Sequence, residues 1–242
     1  MNKLSSIIAV IIFIFALQSC KKQSNNDTKN VEIVDSLPQQ KIEEIGEEIE
    51  ESIPEEPNVT YPKTGNKITD FVPYVYEIQY EAEGDLNNDN LDDVALVFKH
   101  KKSNVLKRPM LILLQNEDHS YRLDKFSDIT IPLEYNDYDY KLYDTENISI
   151  EKGALHINLY GGGASGTFLS TFKYLENDLI LYKMETYFGG AGSHSSSLYD
   201  YEKSEVTTTE TNTMQENEPT TSNTSKIKRK PHLFEKTSIS DF

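Results

Sequence analysis

The order of apolar and polar positions along this chain predicts β-strands. At 75–83, Tyr76, Ile78, Tyr80 and Ala82 fall on one side and Glu77, Gln79, Glu81 and Glu83 on the other. Successive side chains of a strand point to opposite faces, so this stretch reads as a half-buried strand. Residues 94–98 and 110–114 are short, continuous apolar runs of the kind that suits central strands. Asn116-Glu117-Asp118 then separates the second run from residues 121–123, a hairpin pattern. Alternation returns at 154–160, with Leu155, Ile157 and Leu159 on one side, and at 167–174, with Phe168, Phe172 and Tyr174 together. Glu176-Asn177-Asp178 reads as a turn and 179–187 as its return strand. Residues 197–209 are rich in Ser, Thr and Tyr and strand-like, and no long amphipathic helix follows Pro62. The expected fold class is mainly β: an antiparallel sheet, a sandwich or a partial barrel.

The two ends depart from this pattern. Lys3 precedes an unbroken apolar run at 7–17, IIAVIIFIFAL, and a polar stretch begins at Gln18. A run of about eleven residues has signal-peptide length and is too short to span a ~30 Å hydrocarbon core as a helix. It ends in Leu17-Gln18-Ser19-Cys20, which resembles the lipobox of bacterial lipoproteins, although Gln18 stands where that motif has a small residue. The resemblance implies cleavage after residue 19, a diacylglycerol on Cys20 and acylation of the new amino terminus. At ~0.8 kcal/mol per buried methylene, two or more acyl chains anchor stably where one would not. Lys21 follows the cysteine in place of the Asp that marks inner-membrane retention, which favours the outer membrane. The side faced, periplasm or exterior, stays open.

Residues 20–62 read as an acidic, flexible tether. The segment at 41–56, KIEEIGEEIEESIPEE, carries eight Glu against one Lys, and such a chain repels itself and extends. Ile42, Ile45, Ile49 and Ile53 fall on one helical stripe, but Gly46 and Pro54 weaken a helix there. Residues 63–242 make the β-rich domain, with a flexible insertion expected at about 210–225, where Thr, Asn, Glu and Pro leave almost no apolar position. After it, Ile227, Leu233, Phe234, Ile239 and Phe242 recover enough apolar pattern to dock on the sheet. The Lys/Arg cluster at 226–230 suits a charge-protected edge strand, with anionic lipid head groups as the alternative partner.

Charge and cysteine content narrow the function. A formal net charge of −16 repels nucleic acid phosphates, so no nucleic acid partner is expected. Cys20 is the single cysteine, so no internal disulfide supports the fold. Its position in the lipobox also removes the only thiol from catalysis.

One motif carries recognisable chemistry. Residues 84–97 read GDLNNDNLDDVALV. Counting from Asp85, oxygen-bearing side chains recur at positions one, three, five and nine (Asp85, Asn87, Asp89, Asp93), with the Leu91 carbonyl available at seven. Calcium takes six to eight oxygens, which these groups and water can supply. Asn90 stands at position six, where a Gly is usual, and Asn tolerates the left-handed conformation. Leu96 at position twelve removes the bidentate Glu of an EF-hand.

Between two strands, this loop resembles the calcium loops of FG-GAP/VCBS-type repeats, D-x-[DN]-x-D-G-x-x-D, with Asn90 the one departure. The resemblance implies a loop that braces a β-hairpin, here in a single copy rather than a propeller. More broadly, 68–235 resembles a group of bacterial lipoproteins that share the GDLN loop, a Gly-rich strand end such as 159–166 and a later Phe172-Lys-Tyr174 strand. That likeness implies no particular activity. The alternative is an Asp/Asn-rich turn without metal. If calcium binds, the expected affinity is weak, ~10⁻⁴–10⁻³ M.

Other features are more ordinary. The Gly-rich stretch at 161–166 lacks the Lys-Ser/Thr of a phosphate loop and reads as a bulge. His194, among serines after Gly189-Gly-Ala-Gly, reads as part of a hairpin loop. Tyr135, Tyr138, Tyr140 and Tyr143, interleaved with Asp137, Asp139 and Asp144, read as an amphipathic strand, with a sugar-stacking platform as the alternative. The resulting expectation is a lipid-anchored envelope protein in a binding or structural role, more in keeping with a non-enzyme, with an envelope protein or glycan as partner. Two rivals stay open: a hydrolase acting on glycans, and a periplasmic partner-binding or inhibitor protein.

Overall fold

The computed structural model describes residues 55–242. The stretch read as a signal peptide, Cys20 and most of the stretch read as a tether lie outside the described residues. Among the described residues the chain is mainly β and forms two antiparallel sheets, neither closed into a barrel.

The first sheet contains Thr64–Gly65 (β1), Tyr76–Gly84 (β2), Asp93–His100 (β3), Met110–Gln115 (β4) and Tyr121–Ser127 (β5), in the order β1-β5-β4-β3-β2. The second is a meander of neighbours in chain order: Thr145–Glu151 (β6), Ala154–Tyr160 (β7), Thr167–Leu175 (β8), Asp178–Gly190 (β9), Ser193–Asp200 (β10), Glu205–Asn212 (β11) and Thr220–Lys226 (β12). The edges β2 and β6 meet so closely that a Cβ on Gly84 would lie 2.7 Å from the Ile150 carbonyl oxygen.

The continuous apolar runs are central strands, as their pattern predicts, because the first sheet is covered on both faces. Ala95, Val97, Met110, Ile112 and Leu114 face a core shared with Ile148, Ile150, Leu155, Ile157, Phe172 and Leu181 of the second sheet. Val94, Leu96, Phe98, Leu111 and Leu113 face the other way and pack under Phe71, Tyr76, Ile68 and Tyr61. Burying each Val, Leu, Ile, Met or Phe side chain among these contributes ~1.5–3 kcal/mol relative to leaving it exposed. The C-terminal segment docks as its apolar positions suggest: Phe234 and Ile239 are fully buried, and Ile227, Leu233 and Phe242 pack against the core.

Several local expectations change. Strand β2 does not keep one apolar face. A bulge at Gln79 pairs Ile78 with Phe98 and Tyr80 with Val97, so Tyr76 and Ile78 join the outer cluster while Tyr80 and Ala82 join the inter-sheet core. An extra residue in one strand reverses the facing of everything beyond it. The strand-like stretch at 197–209 is two strands, β10 and β11, joined by a tight turn.

Residues 210–225, expected as a flexible insertion, end β11 and supply most of β12, the sheet's edge hairpin. Cross-strand hydroxyl pairs hold it: Thr207–Thr224 at 2.8 Å, Thr209–Ser222 at 3.2 Å and Thr211–Thr220 at 3.0 Å. Thr suits a pleated, solvated surface, so low apolar content did not preclude a strand. Lys226 ends β12 in an ion pair with Glu205 at 2.7 Å, and Arg229 lies over the Tyr201 ring. The folded part also begins earlier than residue 63, because Val59 and Tyr61 pack on the outer cluster and Tyr61 stacks on Phe98.

Candidate functional site

The Asp/Asn loop joins β2 to β3, and its own amides wind it into shape. Asp85 accepts the Asp89 N–H through Oδ1 and the Asn90 N–H through Oδ2, each at 3.0 Å. Asn87 Oδ1 accepts the Asp89 N–H at 3.0 Å, and Asp89 Oδ1 accepts the Leu91 N–H at 2.9 Å. The Asn87 side-chain amide donates to Asp89 Oδ2 at 2.8 Å. Asn90 adopts a left-handed φ of 69° and Asn88 one of 62°, the conformation Asn tolerates where Gly is usual. The β6–β7 turn closes on the loop: a Cβ on Gly153 would lie 2.7 Å from Asn88 Oδ1, so that position excludes a side chain.

Asp93 is set apart from the other loop carboxylates by complete burial. Its Oδ2 accepts the Leu86 and Asn87 N–H groups at 3.0 and 3.3 Å, and its Oδ1 accepts the Gln115 N–H from β4 at 3.0 Å. Burial pushes its carboxyl above the usual range, and the Asp89 charge adds to the rise, against the lowering effect of the three amides.

The donor types of Asp85, Asn87, Asp89 and Asp93 suit a hard cation, because a carboxylate oxygen with two lone pairs can accept an amide and still face a metal. As they stand, no three acidic or imidazole side chains among the described residues converge into a cage. Asp85, Asn87 and Asp89 are thus brought together by hydrogen bonds within the loop, Leu91 by its N–H, and Asp93 at the loop base.

The two Gly-rich segments that looked unconnected in the sequence meet in space. Gly161 and Gly163, after β7, border the same hollow as Gly189 and His194 of the β9–β10 hairpin, an open surface depression of about 390 Å³. Register explains its walls. Tyr160, Thr167, Tyr187, Ser196, Thr209 and Ser222 are cross-strand partners in one row from β7 to β12. In the next row Gly189 pairs with His194, and His194 with Thr211. The missing side chain at Gly189 opens the surface. Gly163 has a φ of 54°, and its Cα would lie 3.7 Å from a Cβ built on Gly189. Gly166, with a φ of 73°, is held under Phe188, whose ring would lie 2.4 Å from an added Cβ.

Sequence reasoning missed this site. The usable signal was two glycine clusters, each at a strand end and flanked by Ser, Thr, Tyr and His. The tyrosine run is a turn rather than the amphipathic strand expected there. Residues 136–140 form a turn, bridged by Tyr135 and Lys141, with Tyr138 and Tyr140 strongly exposed and Tyr143 buried.

Two carboxylates also lie buried near one another's elements. Glu146 is neutralised by Arg108, and Glu134 by Lys99 at 2.9 Å, with Lys141 at 3.9 Å. Tyr80 hydrogen-bonds Glu146, and burial first, then that carboxylate, push its hydroxyl up to about 12. These groups read as buried ion pairs that set the sheet geometry.

Among the described residues no helix is long and apolar enough to cross a membrane. Comparisons with protein-family models, with curated proteins and with solved structures returned no match to this chain.

Proposed function

We propose that this is a lipid-anchored protein of the bacterial cell envelope whose β domain is braced at one loop by calcium and serves a binding or structural role there. The observation that carries the calcium part is the winding of 85–93. Asp85, Asn87 and Asp89 turn their oxygens onto amides of the same loop, while the buried Asp93 feels the charge of Asp89. Carboxylates so arranged repel unless a cation offsets them, and calcium accepts this oxygen set. The likeness of Asp85, Asn87, Asp89 and Asp93 to an FG-GAP/VCBS-type loop supports the same ion. The Leu17-Gln18-Ser19-Cys20 motif supports the anchor, and Lys21 supports the outer membrane.

Two measurements test this reading. Thermal unfolding in millimolar calcium and in chelator reads the brace. Calcium at ten to a hundred times its dissociation constant stabilises by about 1–3 kcal/mol, a shift of several degrees. An unchanged midpoint sinks the calcium proposal. Incorporation of labelled palmitate and sedimentation with membranes read the anchor; both are expected to be lost in Cys20→Ser, and their persistence in that variant refutes the lipid attachment.

A further inference from the structure

We infer that the hollow between the Gly161–Gly166 and Gly189–His194 segments is a binding site for a neutral saccharide, with the Tyr187 ring as its stacking platform. This deepens the binding role proposed above by naming a site and the chemistry of its ligand.

The lining decides the ligand class. Among the described residues that line it there is no carboxylate, ammonium or guanidinium group. A phosphate, a carboxylate ligand or a cation would find no counter-charge there, and burying an unpaired charge is unfavourable. What the hollow offers is aromatic surface from Tyr187 and Phe188 beside several hydroxyls. Tyr187 is about half exposed on the outer face of the sheet. Thr167 and Ser196 flank it across the strand pairs, and His194, Thr209 and Thr211 line the same hollow. A pyranose is amphipathic in the matching way, with a C–H face for the ring and a rim of hydroxyls for the polar groups. The volume of about 390 Å³ lies within the ~300–1,000 Å³ usual for small-molecule sites.

The polar groups are held before any ligand arrives. The Tyr187 hydroxyl donates to Glu185 Oε2 at 2.9 Å, and Lys183 holds the same carboxylate through Oε1 at 2.6 Å. This holds the ring at its hydroxyl end, and the side chain stays about half exposed. The Thr209 and Thr211 hydroxyls are each paired with one from β12, and a hydroxyl has one donor and two acceptor positions, so each keeps capacity for a ligand. Ordering these groups in advance removes part of the entropic cost of binding. The glycines contribute space: Gly162 has no neighbour within 4 Å of a would-be Cβ, and Gly189 forms the floor.

The test uses the full-length chain in detergent micelles, titrated calorimetrically and by saturation-transfer NMR with chitotetraose, cellotetraose and maltotetraose at millimolar concentration. Saturable binding of at least one is expected. Tyr187→Ala should weaken it ~3- to 10-fold, the scale of one lost aromatic stacking contact. Gly189→Leu should abolish it, because a Cβ there meets only ordinary contacts and the longer side chain occupies the hollow. Tyr138→Ala, at an exposed tyrosine on a separate turn, should leave binding unchanged, and circular dichroism verifies the fold of each variant.

Failure of all three oligosaccharides to bind overturns the proposal. So does binding that survives both hollow variants, or that Tyr138→Ala weakens equally. Membrane sedimentation of Cys20→Ser and calcium-dependent melting are read separately, so loss of the anchor or brace reading leaves the sugar result interpretable on its own.

Discussion

Arg108 grips Glu146 with both ends of its guanidinium, Nη1 to Oε2 at 2.5 Å and Nη2 to Oε1 at 3.0 Å, and both side chains are almost completely buried. The same guanidinium donates to the Pro132 carbonyl from Nε at 2.8 Å and from Nη2 at 2.6 Å, and Nη1 reaches the Gln79 side chain at the β2 bulge. One cation therefore ties together the approach to β4, the bulge in β2, the 130s segment and β6.

Removing either charge alone leaves the other buried and unpaired. Arg108→Ala or Glu146→Ala is expected to cost ~3–5 kcal/mol in urea unfolding. The double variant Arg108→Met/Glu146→Leu is expected to be more stable than either, because apolar groups of similar volume leave no orphan charge. Additive losses in the double variant contradict this account.

Asp93 and Asp85 should separate the loop's two roles. Asp93→Ala strips acceptors from three backbone amides, one of them on β4, and is expected to lower stability by at least ~2 kcal/mol even in chelator. Asp85 lies on the partly exposed side of the loop, so Asp85→Asn should keep most chelator-state stability and lose the calcium response. Melting curves of both variants, with and without calcium, give the comparison.

His232 gives the C-terminal dock a pH dependence. It packs edge-on against Tyr199 and Phe242 at 5.4 and 5.3 Å, and burial, assisted by the Lys230 charge, lowers its pKa below the usual histidine range. With a folded value below the unfolded one, the folded state holds fewer protons. Its contribution is complete above about 6.5 and is lost as pH falls from there through the folded value. Thermal midpoints should drop between pH 7.5 and pH 5, and His232→Phe should flatten that slope. A slope unchanged by the substitution assigns the effect elsewhere.

Gly166→Ala should disturb the hollow from below. Its φ of 73° disfavours any Cβ, and the Phe188 ring, itself edge-on to Phe168 at 5.6 Å, occupies the space. A loss of at least ~1 kcal/mol is expected from the conformation alone. The aromatic NMR shifts of Phe188 and Phe168 should move together, and unmoved shifts would show that the loop absorbs the change.

Local pattern by itself determined much of this protein. Runs such as 94–98 and 110–114 became central strands because burying a continuous apolar segment requires cover on both faces. Alternation in 154–160 set which side of β7 faces the core, and Asn90 took the left-handed turn its side chain tolerates. The D-x-N-x-D spacing of 85–89 likewise became a wound loop between β2 and β3, because a short loop draws all its parts from neighbours in the chain.

Other parts required the folded chain. Strand β6 has little signal of its own, because Ile148 and Ile150 alternate with polar residues over seven positions flanked by charges. The bulge at Gln79 is set by pairing with β3 and by the Arg108 contact, neither visible in β2 alone. The β11–β12 hairpin depends on pairing between positions up to 21 residues apart, Glu205 with Lys226 at its open end, with exposed hydroxyl pairs along it. The hollow is the clearest instance. Gly163 and Gly189 are separate glycines until β7, β8 and β9 pair in one register, and only that pairing turns two missing side chains into one space.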